Sequence, residues 1–179
     1  MAFLLALSTA IDKFNEKLGW IANWLVLLAC LVSAANAMFR YAFDIGSNAW
    51  LELQWYMFAV MVMFGASYTL QRNEHVRVDI LYLAYGERGQ HWCDLIGTLV
   101  FLLPMCVMLG WLSWPFFAQS YATGEISGNA GGLVRWPIKA VLPLGFLLLL
   151  LQGISEAIKK AAYLRGYRVH EARYVRPDQ

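Results

Sequence analysis

Residues able to do chemistry are few in this chain and widely spaced. His75 and His91 are the obvious candidates for metal or haem ligation. A membrane haem takes its axial histidines from inside a helix bundle, whereas both of these lie between long apolar runs. They read as interfacial histidines near phosphates or carboxylates. Arg40 and Glu52 stand near the facing ends of two consecutive apolar runs. A charge at the bilayer centre costs roughly 2.5–3.5 kcal/mol on insertion scales and less near the interface, and a pair offsets part of that. The expectation is a structural ion pair or interfacial anchors, with contact to a partner subunit as the functional alternative. No ladder of ionisable residues crosses the apolar runs, so no proton relay is expected. Cys30, Cys93 and Cys106 form no Cys-x-x-Cys pair and read as free thiols. No phosphate-cradling loop, nucleophile–base set, metal cluster or pair of broken helices appears. No catalytic, metal-binding or substrate-binding residue and no cofactor is therefore expected, and the chain does not read as an enzyme.

The elements that carry these residues follow from composition. The 179 residues are 60% hydrophobic and 15% charged, against about 25% charged in a soluble domain. The class is integral membrane. A formal charge of +2 is too small to suggest a nucleic-acid partner. Spans of about 20 mostly apolar residues place four transmembrane helices at about 19–42, 49–71, 92–114 and 136–160. Pro115 predicts an end to the third span after Trp114, with Phe116–Tyr121 lying at the interface, and Pro104 predicts a kink within it. Pro137 suits the first turn of the fourth helix. The N-terminus lacks the basic region of a signal peptide. Phe3, Leu7, Ile11, Phe14 and Leu18 recur at helical spacing, with Asp12, Lys13, Glu16 and Lys17 elsewhere on the wheel. That pattern predicts an amphipathic surface helix leading into the first span. Ala29, Ser33 and Ala37 form a small-residue stripe that lets helices approach closely.

Lys and Arg set the direction. With four spans, both termini share a side with the segment between spans two and three. That side holds eleven of the fourteen Lys and Arg residues, and the other side holds Arg40, Arg135 and Lys139. The positive-inside rule puts both termini in the cytoplasm. The outer loop Ala122–Arg135 is Gly-rich and turn-like. The expected organisation is one four-helix membrane domain over residues 1–165, followed by a basic tail, 166–179.

The segment from Leu70 to Trp92 is polar but patterned. Val76, Ile80 and Leu83 share one helical face. Asp79 can cap a short helix and Gly86 can end it, while Arg77 and Arg88 can reach lipid phosphates. A short amphipathic arm in the inner interface is predicted, against the alternative of a surface loop. The fold class is thus all-α integral membrane, with an N-terminal amphipathic helix and a short interfacial arm helix between spans two and three.

Two stretches, "WLELQWYMFAVMVMFGASYTLQRNEHVRVD" and "GGLVRWPIKAVLPLGFLLLLLQGISEAIK", resemble the small membrane subunit of tripartite ATP-independent periplasmic (TRAP) transporters, the DctQ-like family. The resemblance covers about Trp20 to Arg165. Its most specific piece is His75 to Asp79, supported by Arg135 to Lys139. One departure is that Leu51 and Leu53 flank a lone Glu52 where many members have two acids. The resemblance implies a bacterial inner-membrane subunit that packs as a fixed scaffold against a large membrane subunit carrying substrate and sodium sites. It also implies a periplasmic binding protein that delivers an organic acid. Membrane lipids would be further partners. Arg40, Glu52, Arg72, His75, Arg77, Asp79, Ile80, Leu83, Arg135, Trp136 and Lys139 are the candidate structural or interface residues. A quinone-associated membrane anchor of a redox complex is the rival of a different class.

Overall fold

The computed structural model describes residues 1–75 and 82–167, and of Leu83 the backbone alone. Five α-helices account for most of them: α1, Ala2–Phe43; α2, Asn48–Arg72; α3, Glu87–Gly97; α4, Leu103–Thr123; and α5, Trp136–Leu164. A 3-10 turn, Tyr82–Ala84, precedes α3, and a π-helical turn, Thr98–Leu102, joins α3 to α4 without a break. Four helical runs are long and apolar enough to cross a membrane: α1, α2, the continuous run Glu87–Thr123, and α5. The predicted all-α membrane architecture is the one found.

Turn chemistry sets the helix ends. Asn73 ends α2 in the left-handed conformation, its amide bonded to Leu70 O and the Glu74 amide to Thr69 O. Gly124 ends α4 in the same way, with amides 124 and 125 bonded to Tyr121 O and Ser120 O. Such paired bonds satisfy the last carbonyls of a helix, and Gly or Asn takes the left-handed position at least steric penalty.

Three features of the helices bear on the span expectations. The helix of the third span does not stop at Trp114: α4 continues through Pro115 to Thr123. Proline deprives a helix of one hydrogen bond, but Phe117 and Tyr121 continue an aromatic row onto Trp136 of α5, and the stop falls at Gly124. Pro104 sits in the first turn of α4, directly after the π-turn, where the Leu103 amide bonds to Thr98 O. The wider turn takes up the missing proline donor. Third, α1 is one uninterrupted helix of 42 residues, about 63 Å long, so surface segment and first span are a single rod.

α5 is the hub. It packs against α1, α2, α3 and α4, whereas among the described residues α4 touches neither α1 nor α2. α1 runs antiparallel to α2 and, through its first fifteen residues, antiparallel to the far end of α5. Glycines permit the closest approaches: Gly19 lies against the Tyr68 ring, and Gly145 against Met63. The burial pattern is inverted relative to a soluble protein. The buried apolar residues are few and mostly modest in size, such as Ala22, Cys106 and Ala162, while Trp24, Trp55, Phe101 and Trp111 face outward. Ser8, Asn15, Ser67, Gln152 and Ser155 are buried. Between helices in lipid the apolar exterior supplies no association energy, so close packing and hydrogen bonds hold the bundle together.

Candidate functional site

Two polar clusters sit at opposite ends of the bundle. The first lies at the end away from the termini. Asn48, Glu52 and Tyr56 recur every four residues along the first turns of α2, so one stripe faces the loop between α4 and α5. Asn48 Nδ2 donates to Ala130 O at 3.1 Å, and Tyr56 OH donates to Val134 O at 3.0 Å. Between them the Glu52 carboxylate, 6% exposed, accepts three bonds. Ser127 Oγ and Asn129 Nδ2 (2.8 Å) donate to Oε1, and the Leu133 amide donates to Oε2 at 2.7 Å. The loop itself is a small hairpin. The Ser127 amide bonds to Leu133 O and the Arg135 amide to Glu125 O, around an Ile126–Val134 bridge. Gly131 supplies the positive φ at its tip.

Of the two readings of Arg40 and Glu52, an ion pair or separate interfacial anchors, the ion pair does not form among the described residues. Arg40 is exposed in the last turn of α1 and makes no ion pair among the described residues, and Glu52 is occupied by the hairpin. Lys139 instead donates to Glu125 and lies 4.1 Å from the centre of the Phe116 ring. Arg135 approaches the same carboxylate at 4.0 Å. The Lys139 ammonium holds the Glu125 carboxyl below the usual carboxylate range. Trp136 packs edge-on to Tyr121.

The second cluster, at the end carrying both termini, was not read from the sequence. Ser8, Asp12 and Asn15 of α1 meet Gln152, Ser155, Glu156 and Lys159 of α5. The two serine hydroxyls are 2.7 Å apart. Asn15 Nδ2 donates to Gln152 Oε1 at 2.6 Å, and Gln152 Nε2 donates to Asp12 at 2.9 Å and to Glu156 at 3.0 Å. With both of its amide hydrogens on carboxylates, Gln152 has one workable orientation. Ser155 Oγ donates to Asp12 at 2.7 Å, and Lys159 Nζ donates to Asp12 at 3.1 Å and Glu156 at 2.5 Å. One polar stripe of the N-terminal segment, Ser8, Asp12 and Asn15, is therefore taken up by α5, while Lys13, Glu16 and Lys17 stay exposed. Phe3, Leu7 and Phe14 face outward. The signal was present as spacing: positions 8, 12 and 15 against 152, 155, 156 and 159 are two helical stripes. Nothing short of the fold pairs them.

The arm residues are only partly visible. Arg77, Asp79 and Ile80 lie outside the described residues, and the Leu83 backbone lies in the 3-10 turn. That turn is fastened by Tyr82 OH donating to Asp94 at 3.0 Å and Gln90 donating to Tyr85 O at 3.1 Å. Asp94 also pairs with Lys160 at 3.4 Å, and His91 stacks on Tyr163 with ring centres 3.9 Å apart. Arg72 donates to Tyr68 OH at 3.1 Å and pairs with Glu16 at 3.4 Å on the exposed surface. His75 is exposed in the turn after α2. Among the described residues no group of three or more His, Cys, Asp or Glu could hold a metal ion.

The family model for tripartite ATP-independent periplasmic transporters, DctQ component, matches residues 29–162. The C4-dicarboxylate TRAP transporter small permease protein DctQ of Vibrio cholerae is 32% identical over 101 residues, which are 54% of this chain and 44% of that protein. A putative TRAP transporter small permease protein of Haemophilus influenzae is 24% identical over 121 residues, 66% of this chain and 74% of that one. The match thus spans less than half of the Vibrio relative's length. No solved structure matches the chain. The matched residues run from within α1 through α2, α4 and the hairpin to the lysines of α5, and with them the chain belongs to the DctQ family, the small permease component of tripartite ATP-independent periplasmic transporters.

Proposed function

We propose that this multi-pass inner-membrane subunit is a fixed scaffold for a large transport subunit, supporting sodium-coupled uptake of an organic acid delivered by a periplasmic binding protein. One observation carries the reading. The buried ionisable groups at both ends of the bundle are engaged in holding the chain's own elements together. Glu52 is filled by the hairpin, and Asp12, Glu156 and Lys159 by one another. A bundle whose charges are spent on its own rigidity suits a stationary part. The family membership supports a role within a transporter, and the name of the Vibrio relative supports a dicarboxylate as the acid. Both termini lie in the cytoplasm in this reading, with the Glu52-held hairpin on the periplasmic side. Arg77, Asp79, Ile80 and Leu83 belong to an interfacial arm that lies on the membrane or on the large subunit.

The test is reconstitution of the chain alone and with the membrane protein that co-purifies with it. Sodium-driven succinate uptake above empty liposomes is expected only with the partner and the binding protein. Replacing Ile80 and Leu83 by Asp should abolish co-purification. Uptake by the chain alone would overturn the scaffold reading, and normal assembly of the double Asp variant would remove the arm from the partner interface.

A further inference from the structure

A long apolar groove runs between α4 and α5 in the half of the bundle away from the termini, and among the described residues no element covers it. Its volume is about 610 Å³. The sequence hollows it. Gly110, Ala140 and Pro143 place little bulk between two helices that otherwise touch, with Gly110 set against Phe146. The walls are apolar and outward-facing: Trp111 is 79% exposed, and Leu147 49%.

Dimensions select the occupant. From Cys106 to Phe117 the groove follows α4 for about 17 Å, close to half of a hydrocarbon core of about 30 Å. Spreading the 610 Å³ over that length gives a narrow slot, about 36 Å² in mean cross-section. The slot admits a flexible hydrocarbon chain one leaflet long.

The mouth adds a second requirement. Trp136, Ala140, Pro143 and Leu147 recur at helical spacing, so the α5 stripe lining the groove continues up to the first turn of that helix. There Tyr121 and Trp136 meet edge-on, as do Trp114 and Phe117, forming an interfacial aromatic rim. Above it stands Arg135. Glu125 is taken by Lys139, and Glu52 by Ser127, Asn129 and Leu133. Among the described residues the Arg135 guanidinium donates no hydrogen bond. Its ion pair is the 4.0 Å approach to Glu125, and its side chain is 46% exposed. An exposed guanidinium fork with open donors fits a phosphodiester.

We infer that the α4–α5 groove is a binding site for a single phospholipid, with one acyl chain in the slot and the phosphate on Arg135. The site goes beyond the subunit's scaffold role, because it assigns this face to a retained lipid rather than to a protein helix.

The test is native mass spectrometry of the full chain, purified with any partner that accompanies it, after detergent washing and supplementation with deuterated phosphatidylglycerol or phosphatidylethanolamine. One phospholipid per chain should survive. Arg135→Gln should reduce the retained fraction at least about tenfold, as should Gly110→Leu combined with Ala140→Leu, which fills the slot. Trp55→Ala, on the exposed face of α2, should retain lipid as the wild type does. Should the filled variant not fold, a benzophenone amino acid at Leu147 gives an independent readout, and photolysis should yield a phospholipid adduct. Retention unchanged by Arg135→Gln would overturn the site. So would photo-cross-linking of position 147 to a membrane protein instead of a lipid.

Discussion

Lys159 is the position at which a single substitution tests the terminal cluster most directly. It is 5% exposed and, among the described residues, is the cation that donates to both Asp12 and Glu156, at 3.1 and 2.5 Å. Lys159→Met keeps much of the aliphatic stem and removes the charge, leaving two carboxylates joined through Gln152 without the ammonium that bridged them. Removing one partner of a buried pair costs about 3–5 kcal/mol, because the other charge stays behind. A ceiling applies, since a stranded carboxylate can take up a proton. From an ordinary pKa near 4, doing so at pH 7 costs about 4 kcal/mol. The expected destabilisation is therefore about 3–4 kcal/mol, or two to three orders of magnitude in the folding equilibrium. Reversible unfolding in mixed micelles at rising SDS fraction, followed by circular dichroism, measures it. The triple variant Lys159→Met, Asp12→Asn, Glu156→Gln removes all three charges while keeping amide hydrogen bonds, and should recover at least half of the loss. A single-variant effect below about 1 kcal/mol, with no rescue by the triple variant, would show that the cluster behaves as a solvated surface network and refute the reasoning.

Glu52→Ala should free the hairpin: amide exchange at Ser127 and Leu133 should accelerate at least about tenfold while α1 is unchanged, since the lost bonds are local. Glu125 should give that loop an acid sensitivity. Its carboxyl is held low by Lys139, so the ion pair contributes fully above the unfolded-state pKa. That contribution is lost as pH falls through the lower folded-state value. Hairpin protection should accordingly drop below about pH 4 in the wild type, and Glu125→Gln should flatten the profile. A cysteine placed at Ser127 in a Cys-free background should react with an impermeant maleimide from the periplasmic side alone, and reaction from the cytoplasmic side alone would invert the proposed topology.

The four spans were legible in the sequence because span length and hydropathy depend on local composition. The helix ends at prolines were less legible. Pro115 reads as a stop locally, yet the helix passes through it toward Trp136, a contact on another helix. Glu52 was recognised as a residue of interest, with pairing to Arg40 as one of two readings. Arg40 is its near neighbour in the sequence hairpin, whereas its true donors come from a loop 75 to 81 positions later. The Asp12–Lys159 cluster escaped for the same reason, with 147 positions between its members. Charge type and helical spacing identify a stripe, and only the fold says which stripe it meets.

The separation of the two stripes also orders the life of the chain on the ribosome. Ser8, Asp12 and Asn15 emerge first, yet their partners lie at positions 152–159. At about 5–20 residues per second, roughly 140 residues take about 7–28 s to synthesise. For that interval the first helix presents a polar stripe with no protein to meet it. Its first fifteen residues must wait in headgroups or water, and they close against α5 when the last span arrives. The zipper is thus a completion step, and release of a chain truncated before Gln152 would leave an N-terminal segment that has inserted but never been fastened.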